Sequence, residues 1–229
     1  MSITKKILFL GVFSLIGLVA LSVPFSQLIG AQQTFSLFDF IAPTIGAFLT
    51  SVWGAGVVII VKLSHALITH QNLDTITIIR LFPLALGALY FGLKKYKLIM
   101  AIIPLVCMGL FMIHPEGRQA WYYALYWLIP VAALAAKRSL MLNSLGATFT
   151  AHAVGGVTFL YAFNLPGEVW IALIPIVFIE RVLFAGGIAL SYVSLNTLVG
   201  WLERRLHMPI LGRLTNPTYT FSRAILKNL

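Results

Sequence analysis

The stretch from Val169 to Leu202 reads VWIALIPIVFIERVLFAGGIALSYVSLNTLVGWL and carries no charged residue except Glu180 and Arg181. A helix of ~20 predominantly apolar residues is long enough to cross the hydrocarbon core of a bilayer. The stretch exceeds this length, so we expect a transmembrane helix that tilts or extends beyond the bilayer before it reaches Glu203.

The composition of the whole chain places it in the same class. Of its 229 residues 60% are hydrophobic and 10% are charged, whereas soluble domains have ~45–50% apolar and ~25% charged residues. The composition therefore argues against a soluble enzyme, a nucleic-acid-binding domain and a disordered protein. We predict an all-α, polytopic transmembrane helix bundle of one domain, because the length allows six or seven crossings and little else.

Six further apolar stretches precede the one quoted above, and the first is predicted to be an uncleaved helix rather than a signal peptide. They are Ile7–Ile29, Phe38–Val61, Ile78–Leu93, Leu98–Ile113, Trp121–Ala136 and Leu140–Phe163.

The distribution of basic residues predicts the orientation. The chain has 16 Lys and Arg, 6 acidic residues and a net charge of +10. Seven crossings with an inner N-terminus put most basic residues outside, against the positive-inside rule. If the run around Pro83 does not cross, fourteen of the 16 basic residues lie inside, Arg118 lies outside and Arg181 lies within the membrane. We therefore predict six crossings of the cell membrane with both termini cytoplasmic; seven crossings with an outer N-terminus is the alternative.

The chain is predicted to end in a short cytoplasmic tail. Residues 1–206 form the transmembrane bundle in this interpretation, and residues 207–229 follow it. Arg213, Arg223 and Lys227 lie there among Leu, Ile, Phe and Tyr. This pattern is typical of an amphipathic segment that lies on the anionic inner leaflet.

Small residues recur in the second stretch at a spacing of four. Gly46, Thr50 and Gly54 form one row if the stretch is a continuous helix, and Ala47, Ser51 and Ala55 form the next row. Such rows let another backbone approach closely. They predict either plain helix packing or the wall of a ligand groove, in which Trp53 offers a flat surface to a ring-shaped ligand.

Aromatic residues crowd the start of the fifth stretch, and their position predicts anchors at the membrane interface. Stacking against a ligand is the alternative. They are Trp121, Tyr122, Tyr123, Tyr126 and Trp127.

His152 lies at bilayer depth on a polar and small stripe with Thr148 and Gly156. A histidine in this position needs a hydrogen-bond partner, which indicates a bond between helices, ligand recognition or proton handling. No second His, Cys or carboxylate lies one turn away. We therefore predict no metal site and no cofactor.

Glu180 and Arg181 are embedded in apolar sequence, where each costs ~2.5–3.5 kcal/mol on insertion scales. Adjacent helical positions point ~100° apart, so we expect the two side chains not to pair with each other. Either Glu180 meets His152 across the bundle, or Arg181 binds an anionic ligand; a structural clamp between two helices is the alternative. We predict one cavity shared by His152 and Glu180, lined also by Thr148 and reachable from Trp53.

Several segments resemble the S components of energy-coupling-factor transporters. They are the helix that follows Thr4-Lys5-Lys6, the segment Pro43–Phe48 with Trp53–Gly56, the segment Gly87–Lys95, and Ala172–Pro175. This resemblance implies a small six-helix protein that binds a vitamin or a related micronutrient. It also implies docking onto a membrane coupling protein with two ATPases, through small residues of the first helix: Gly11, Ser14, Gly17 and Ala20.

Two function classes remain open on the sequence, with a purely structural scaffold as a third. The first is a substrate-binding transport subunit for a small molecule, with substrate-binding residues Trp53, Thr148, His152, Glu180 and Arg181. The second is an intramembrane enzyme that acts on a lipid or peptide, with His152 and Glu180 as acid and base. GxSxG, P-loop and HExxH motifs are absent from the sequence, which favours the first class.

Overall fold

The computed structural model describes residues 3–27, 34–49, 51–93, 97–136, 139–207, 212 and 214–221. In these residues the protein is helical apart from one short antiparallel ribbon, β1 (Pro24–Gln27) with β2 (Thr34–Ser36). The predicted all-α fold is confirmed. The helices are α1 (Ile3–Leu21), α2 (Phe38–Leu49), α3 (Ser51–Ile68), α4 (Thr75–Ile79), α5 (Phe82–Gly92), α6 (Lys97–Ile113), α7 (Pro115–Gln119), α8 (Leu128–Ala135), α9 (Leu140–Phe163) and α10 (Gly167–Leu206), with 3₁₀ segments at Trp121–Trp127 and Pro217–Tyr219.

The second apolar stretch is not one helix. It divides into α2, which ends at Leu49, and α3, which begins at Ser51, and the two helices pack against each other as a hairpin. A Cβ atom on Gly54 would lie 2.5 Å from the Cα atom of Gly46. In a continuous helix these two positions would be separated by ~12 Å along the axis. The small residues therefore serve the packing of the two arms of the hairpin, and the prediction of a single helix over Phe38–Val61 is wrong.

Helix α5 packs against the same point. A Cβ atom on Gly46 would overlap the carbonyl group of Ala88, and one on Gly92 would overlap the carbonyl group of Gly46. Three helices thus meet at backbone distance, which only residues without a Cβ atom allow. We refer to Gly46, Gly54 and Gly92 as the glycine junction.

Helix α5 is short and lies in the interior of the bundle. Its 11 residues span ~16 Å, and α2, α3 and α9 cover its sides. It runs antiparallel to α9, with Gly87 beside Ala147 and Ala151. At its end, Asn143 Nδ2 of α9 donates a hydrogen bond of 3.1 Å to the carbonyl of Phe91.

Two helical segments of the described residues are both long enough and apolar enough to cross a membrane. They are Thr75–Gly92, which includes α4 and α5, and Gly167–Arg205. Shorter apolar helices cover Phe38–Leu49, Val52–Ile68, Leu98–Ile113 and Trp121–Ala135.

The described part of the tail folds back onto α10. Asn196 is fully buried, and its Nδ2 donates hydrogen bonds of 2.6 and 2.7 Å to the carbonyls of Asn216 and Tyr219. Its Oδ1 accepts a bond of 2.8 Å from the backbone N–H of Asn216. The three basic residues on which the amphipathic prediction rests, at 213, 223 and 227, lie outside the described residues.

The glycine junction makes a direct prediction. Gly46→Ala should lower the free energy of unfolding by about 1–3 kcal/mol, because the new methyl group overlaps the Ala88 carbonyl. Gly56→Ala on α3 is the matched control, since nothing lies within 4 Å of its Cβ position. Thermal unfolding in detergent should show a lower melting temperature for Gly46→Ala alone. Equal melting temperatures would contradict the close packing of α2 on α5.

Candidate functional site

A cavity of about 430 Å³ lies within the bundle, in the size range of small-molecule sites. The ends of α1 and α3 and the starts of α2 and α5 meet around it, and α9 and α10 form its inner wall. Four residues singled out in the sequence line this one cavity: Thr148, His152, Glu180 and Arg181.

His152 is held by two aromatic side chains from the segment Trp121–Trp127. The indole Nε1 of Trp127 donates a hydrogen bond of 3.1 Å to His152 Nδ1. The hydroxyl of Tyr123 lies 2.9 Å from His152 Nε2. An indole N–H can only donate, so Nδ1 must carry a lone pair and the single proton of a neutral imidazole resides on Nε2.

This tautomer determines what each partner can do. The Nε2–H group of His152 donates to the oxygen of Tyr123, because that is the proton left to the ring. The hydrogen of the Tyr123 hydroxyl is then available for another acceptor. His152 itself presents no free lone pair, since Trp127 occupies Nδ1. The histidine therefore orients Tyr123 rather than facing a ligand as a base.

The sequence did not identify these two partners. The sequence predicts interfacial anchors at Tyr123 and Trp127, yet these side chains are 1% and 0% exposed and belong to the core around Phe111. The spacing of four residues between Tyr123 and Trp127 is the signal in the sequence that the two side chains lie close together. It could not show that the turn faces α9.

Glu180 and Arg181 pair with each other, and the prediction that they do not is wrong. Arg181 Nη2 lies 2.6 Å from Glu180 Oε2. The rotation of ~100° between adjacent helical positions describes only the directions of the Cα–Cβ bonds. The long arginine side chain bends around the helix to reach its neighbour, because an unpaired charge at this depth is costly.

The guanidinium of Arg181 is enclosed on its other sides. It lies 4.3 Å from the ring centre of Phe184 and 5.3 Å from that of Phe35, a geometry that stabilises a cation. Nη1 is 3.4 Å from Thr148 Oγ1. Throughout the described part of the chain, Arg181 Nε is the one buried side-chain nitrogen or oxygen without a hydrogen-bond partner.

Three further charged side chains line the cavity and are not among the predicted site residues: Asp39, Lys62 and Arg80. Asp39 accepts hydrogen bonds from the backbone N–H and the hydroxyl of Ser36, at 2.8 and 3.1 Å. Lys62 donates a hydrogen bond of 2.5 Å to the carbonyl of Arg80 and interacts electrostatically with Asp39. The position of Lys62 at the end of an apolar run is a signal in the sequence for a site residue. The positive-inside count uses this residue only to orient the chain in the membrane.

Trp53 does not line the cavity, so the prediction that it forms a wall of the site is wrong. Its side chain is 55% exposed, and it lies in the first turn of α3. Helix α3 reaches the cavity with Lys62 and His65, which are ~13 Å or more further along the axis. Because α3 begins at Ser51, Trp53 lies at the end of this helix that is remote from the cavity.

The four small residues predicted as a docking face do not share one face. Gly17 packs against Phe38 and Val61, and Ala20 is 2% exposed, so both face the protein's own core. Gly11 is exposed. Residues spaced by three rotate around a helix of 3.6 residues per turn, so Gly11 and Ala20 point in nearly opposite directions. The prediction of a docking face on Gly11, Ser14, Gly17 and Ala20 is therefore wrong.

Comparisons with known proteins do not assign the chain to a family. No family model matches the chain, no curated protein matches its sequence, and no solved structure matches its fold. Within the described residues no group of three His, Cys, Asp or Glu is placed to hold a metal ion.

The pairing of Glu180 with Arg181 can be tested by a double-mutant cycle. Glu180→Gln should lower the free energy of unfolding by up to about 3–5 kcal/mol, because it leaves a buried guanidinium without its carboxylate. Adding Arg181→Met should recover part of this loss. Glu168→Gln is the matched control, since Glu168 is exposed near the start of the same helix. Additive losses in the cycle, measured by thermal unfolding, would contradict a direct pair.

Proposed function

We propose that this protein is an integral membrane subunit that binds a small, micronutrient-like molecule for transport, similar to the S components of energy-coupling-factor transporters. The observation that carries the proposal is a cavity of small-molecule size, lined by charged and aromatic side chains, inside a bundle whose exterior is apolar. A transport subunit needs such a pocket and needs no catalytic group.

The exterior of α10 supports a membrane environment. Ile179, Leu183 and Leu190 are 61–67% exposed, although they flank the buried Arg181. A surface of this kind is costly in water and favourable in lipid. The proposal extends the two candidate membrane segments to a multi-pass bundle, in which the shorter helix α2 is covered by α1, α3, α5 and α10.

The charges at the two ends of the bundle support an orientation. The connections after α5 and α8 carry Lys94, Lys95, Lys137 and Arg138 in the sequence, and these helices end around a second, smaller cavity. Lys62 and Arg80 lie at the end with the main cavity, so the count of fourteen to one no longer holds. The remaining excess of basic residues at the end of the bundle near the smaller cavity still favours a cytoplasmic location for that end.

Both termini belong to that second end in this proposal. Helix α1 reaches the main cavity with Leu21, so its N-terminal turn, next to Lys5 and Lys6, lies at the far end. Helix α10 reaches the main cavity with its first half. Its basic last turn, Arg204 and Arg205, lies beyond it. The main cavity then opens toward the outside, where a nutrient is captured.

The environment of His152 disfavours the alternative of an intramembrane enzyme. A general base must offer a lone pair to its substrate, but Trp127 occupies Nδ1 and Nε2 bonds to Tyr123. Glu180 is paired with Arg181. Both groups proposed as acid and base are thus engaged with the protein itself.

The orientation predicts a labelling pattern for two single-cysteine variants in a Cys107→Ala background. Asn72→Cys lies in an exposed connection near the main cavity, and Thr218→Cys lies in the exposed part of the tail. A membrane-impermeant maleimide added to intact cells should label Asn72→Cys and should label Thr218→Cys only after permeabilisation. The reverse pattern would overturn the orientation, and labelling of both in intact cells would place the two ends on the same side.

The transport function is tested by uptake. Molecules extracted from the purified protein by heat are identified by mass spectrometry and then offered, radiolabelled, to cells. Cells that produce this chain with the coupling protein and ATPase pair of its own genome should accumulate the molecule, and cells without the chain should not. Turnover of a lipid or peptide that is lost in His152→Ala would instead support the enzyme.

A further inference from the structure

Two groups around the main cavity have hydrogens to donate and no acceptor for them among the described residues. The tautomer of His152 leaves the Tyr123 hydroxyl as a donor. Arg181 has five N–H hydrogens, of which one binds Glu180 and one binds Thr148. The ligand group between these two residues must therefore be an acceptor.

The two donors are held at neighbouring points of the same helix face. Arg181 contacts Thr148 and Tyr123 contacts His152. Thr148 and His152 are four residues apart on α9, so they lie one above the other at ~6 Å along the axis. A group with two oxygens can accept from both donors at this separation, one oxygen for each.

The charges around the cavity indicate that this group is anionic. Three cations line it, Lys62, Arg80 and Arg181, against the two carboxylates Asp39 and Glu180, so the formal charge of these five side chains is +1. Lys62 and Arg181 each interact with one of the two carboxylates, so the excess charge is that of Arg80, whose side chain is exposed beside the cavity. A ligand with a single negative charge neutralises the site.

Four aromatic side chains belong to the remaining lining, which is otherwise mainly aliphatic. Phe35, Phe159, Trp170 and Phe184 line the same cavity, and they offer ring faces and edges to a planar apolar group. We propose that Tyr123 and Arg181 form a carboxylate subsite, and that the ligand of this cavity is a ring-bearing monocarboxylate. In this proposal Trp127 and His152 are positioning residues, because they fix the direction of the Tyr123 hydroxyl. The proposal rests on the proposed function only in taking the cavity as the ligand site.

The subsite is tested with matched acids and amides on the purified full-length protein. The probes are 2-naphthoate with 2-naphthamide and indole-3-acetate with indole-3-acetamide, and their dissociation constants are measured by calorimetry. At least one acid should bind about tenfold or more tightly than its amide, since hydrogen bonds to a charged group are the stronger ones. If the amides bind as tightly as the acids, or if no acid binds, the carboxylate subsite is wrong. This comparison requires no variant.

Variants then assign the residues. Tyr123→Phe should weaken acid binding by about tenfold or more and reduce the preference over the amide. Tyr161→Phe is the matched control and should change neither, because the Tyr161 hydroxyl binds the Leu110 carbonyl outside the cavity. Trp127→Phe frees Nδ1 of His152, so that the Tyr123 hydroxyl can donate to the histidine. It should reduce the acid preference while the melting temperature shows that the protein is folded. An unchanged preference in folded Tyr123→Phe would overturn the assignment.

The outcomes separate this inference from the proposed function. Preferential binding of acids without uptake in cells would retain the carboxylate subsite and overturn the transport proposal. Uptake of a cationic or neutral molecule, with no binding of acids, would support the transport proposal and overturn the carboxylate subsite.

Discussion

The contact on which the rest of the structure depends is the close approach of three backbones at the glycine junction. Gly46 is in contact with Gly54 of α3 and with Ala88 and Gly92 of α5. Because α5 also packs along α9, the junction sets how far α2 and α3 stand from the wall that carries Thr148 and His152. The main cavity is the space left between that wall and the cavity-facing ends of these helices. A larger residue at the junction would change the shape of the site without touching it.

Patterns within one element were predictable from the sequence, and partnerships between elements were not. The helical character and the polar stripe of Thr148 and His152 follow from composition and periodicity, which are local properties. The hairpin around residue 50 does not, because Leu49, Thr50 and Ser51 have no strong break signal. Helix α2 ends at Leu49 and α3 begins at Ser51, and the close contact between Gly46 and Gly54 joins the two arms.

In the candidate site, too, the burial of a side chain could be predicted from the sequence, whereas its partners could not. Burial of Arg181 could be expected from its apolar neighbours. Its pairing with Glu180 could not, because it depends on how a long side chain bends in a crowded interior. The roles of Tyr123 and Trp127 were missed for a related reason. Aromatic residues at a helix start are typical of membrane interfaces, and only the position of α9 shows that these two donate toward a buried histidine.

The ion pair within α10 has a consequence for how the protein is made. Glu180 and Arg181 are adjacent in the chain and bond to each other, so the helix carries its own counter-charge when it leaves the ribosome. A charged residue whose partner is on another helix must enter the bilayer alone or wait for that partner. In the proposed membrane subunit, a helix that contains both charges of an ion pair enters the bilayer at a smaller cost than two separate charges. In that subunit, α10 then does not need to pair with α9 before it enters the bilayer.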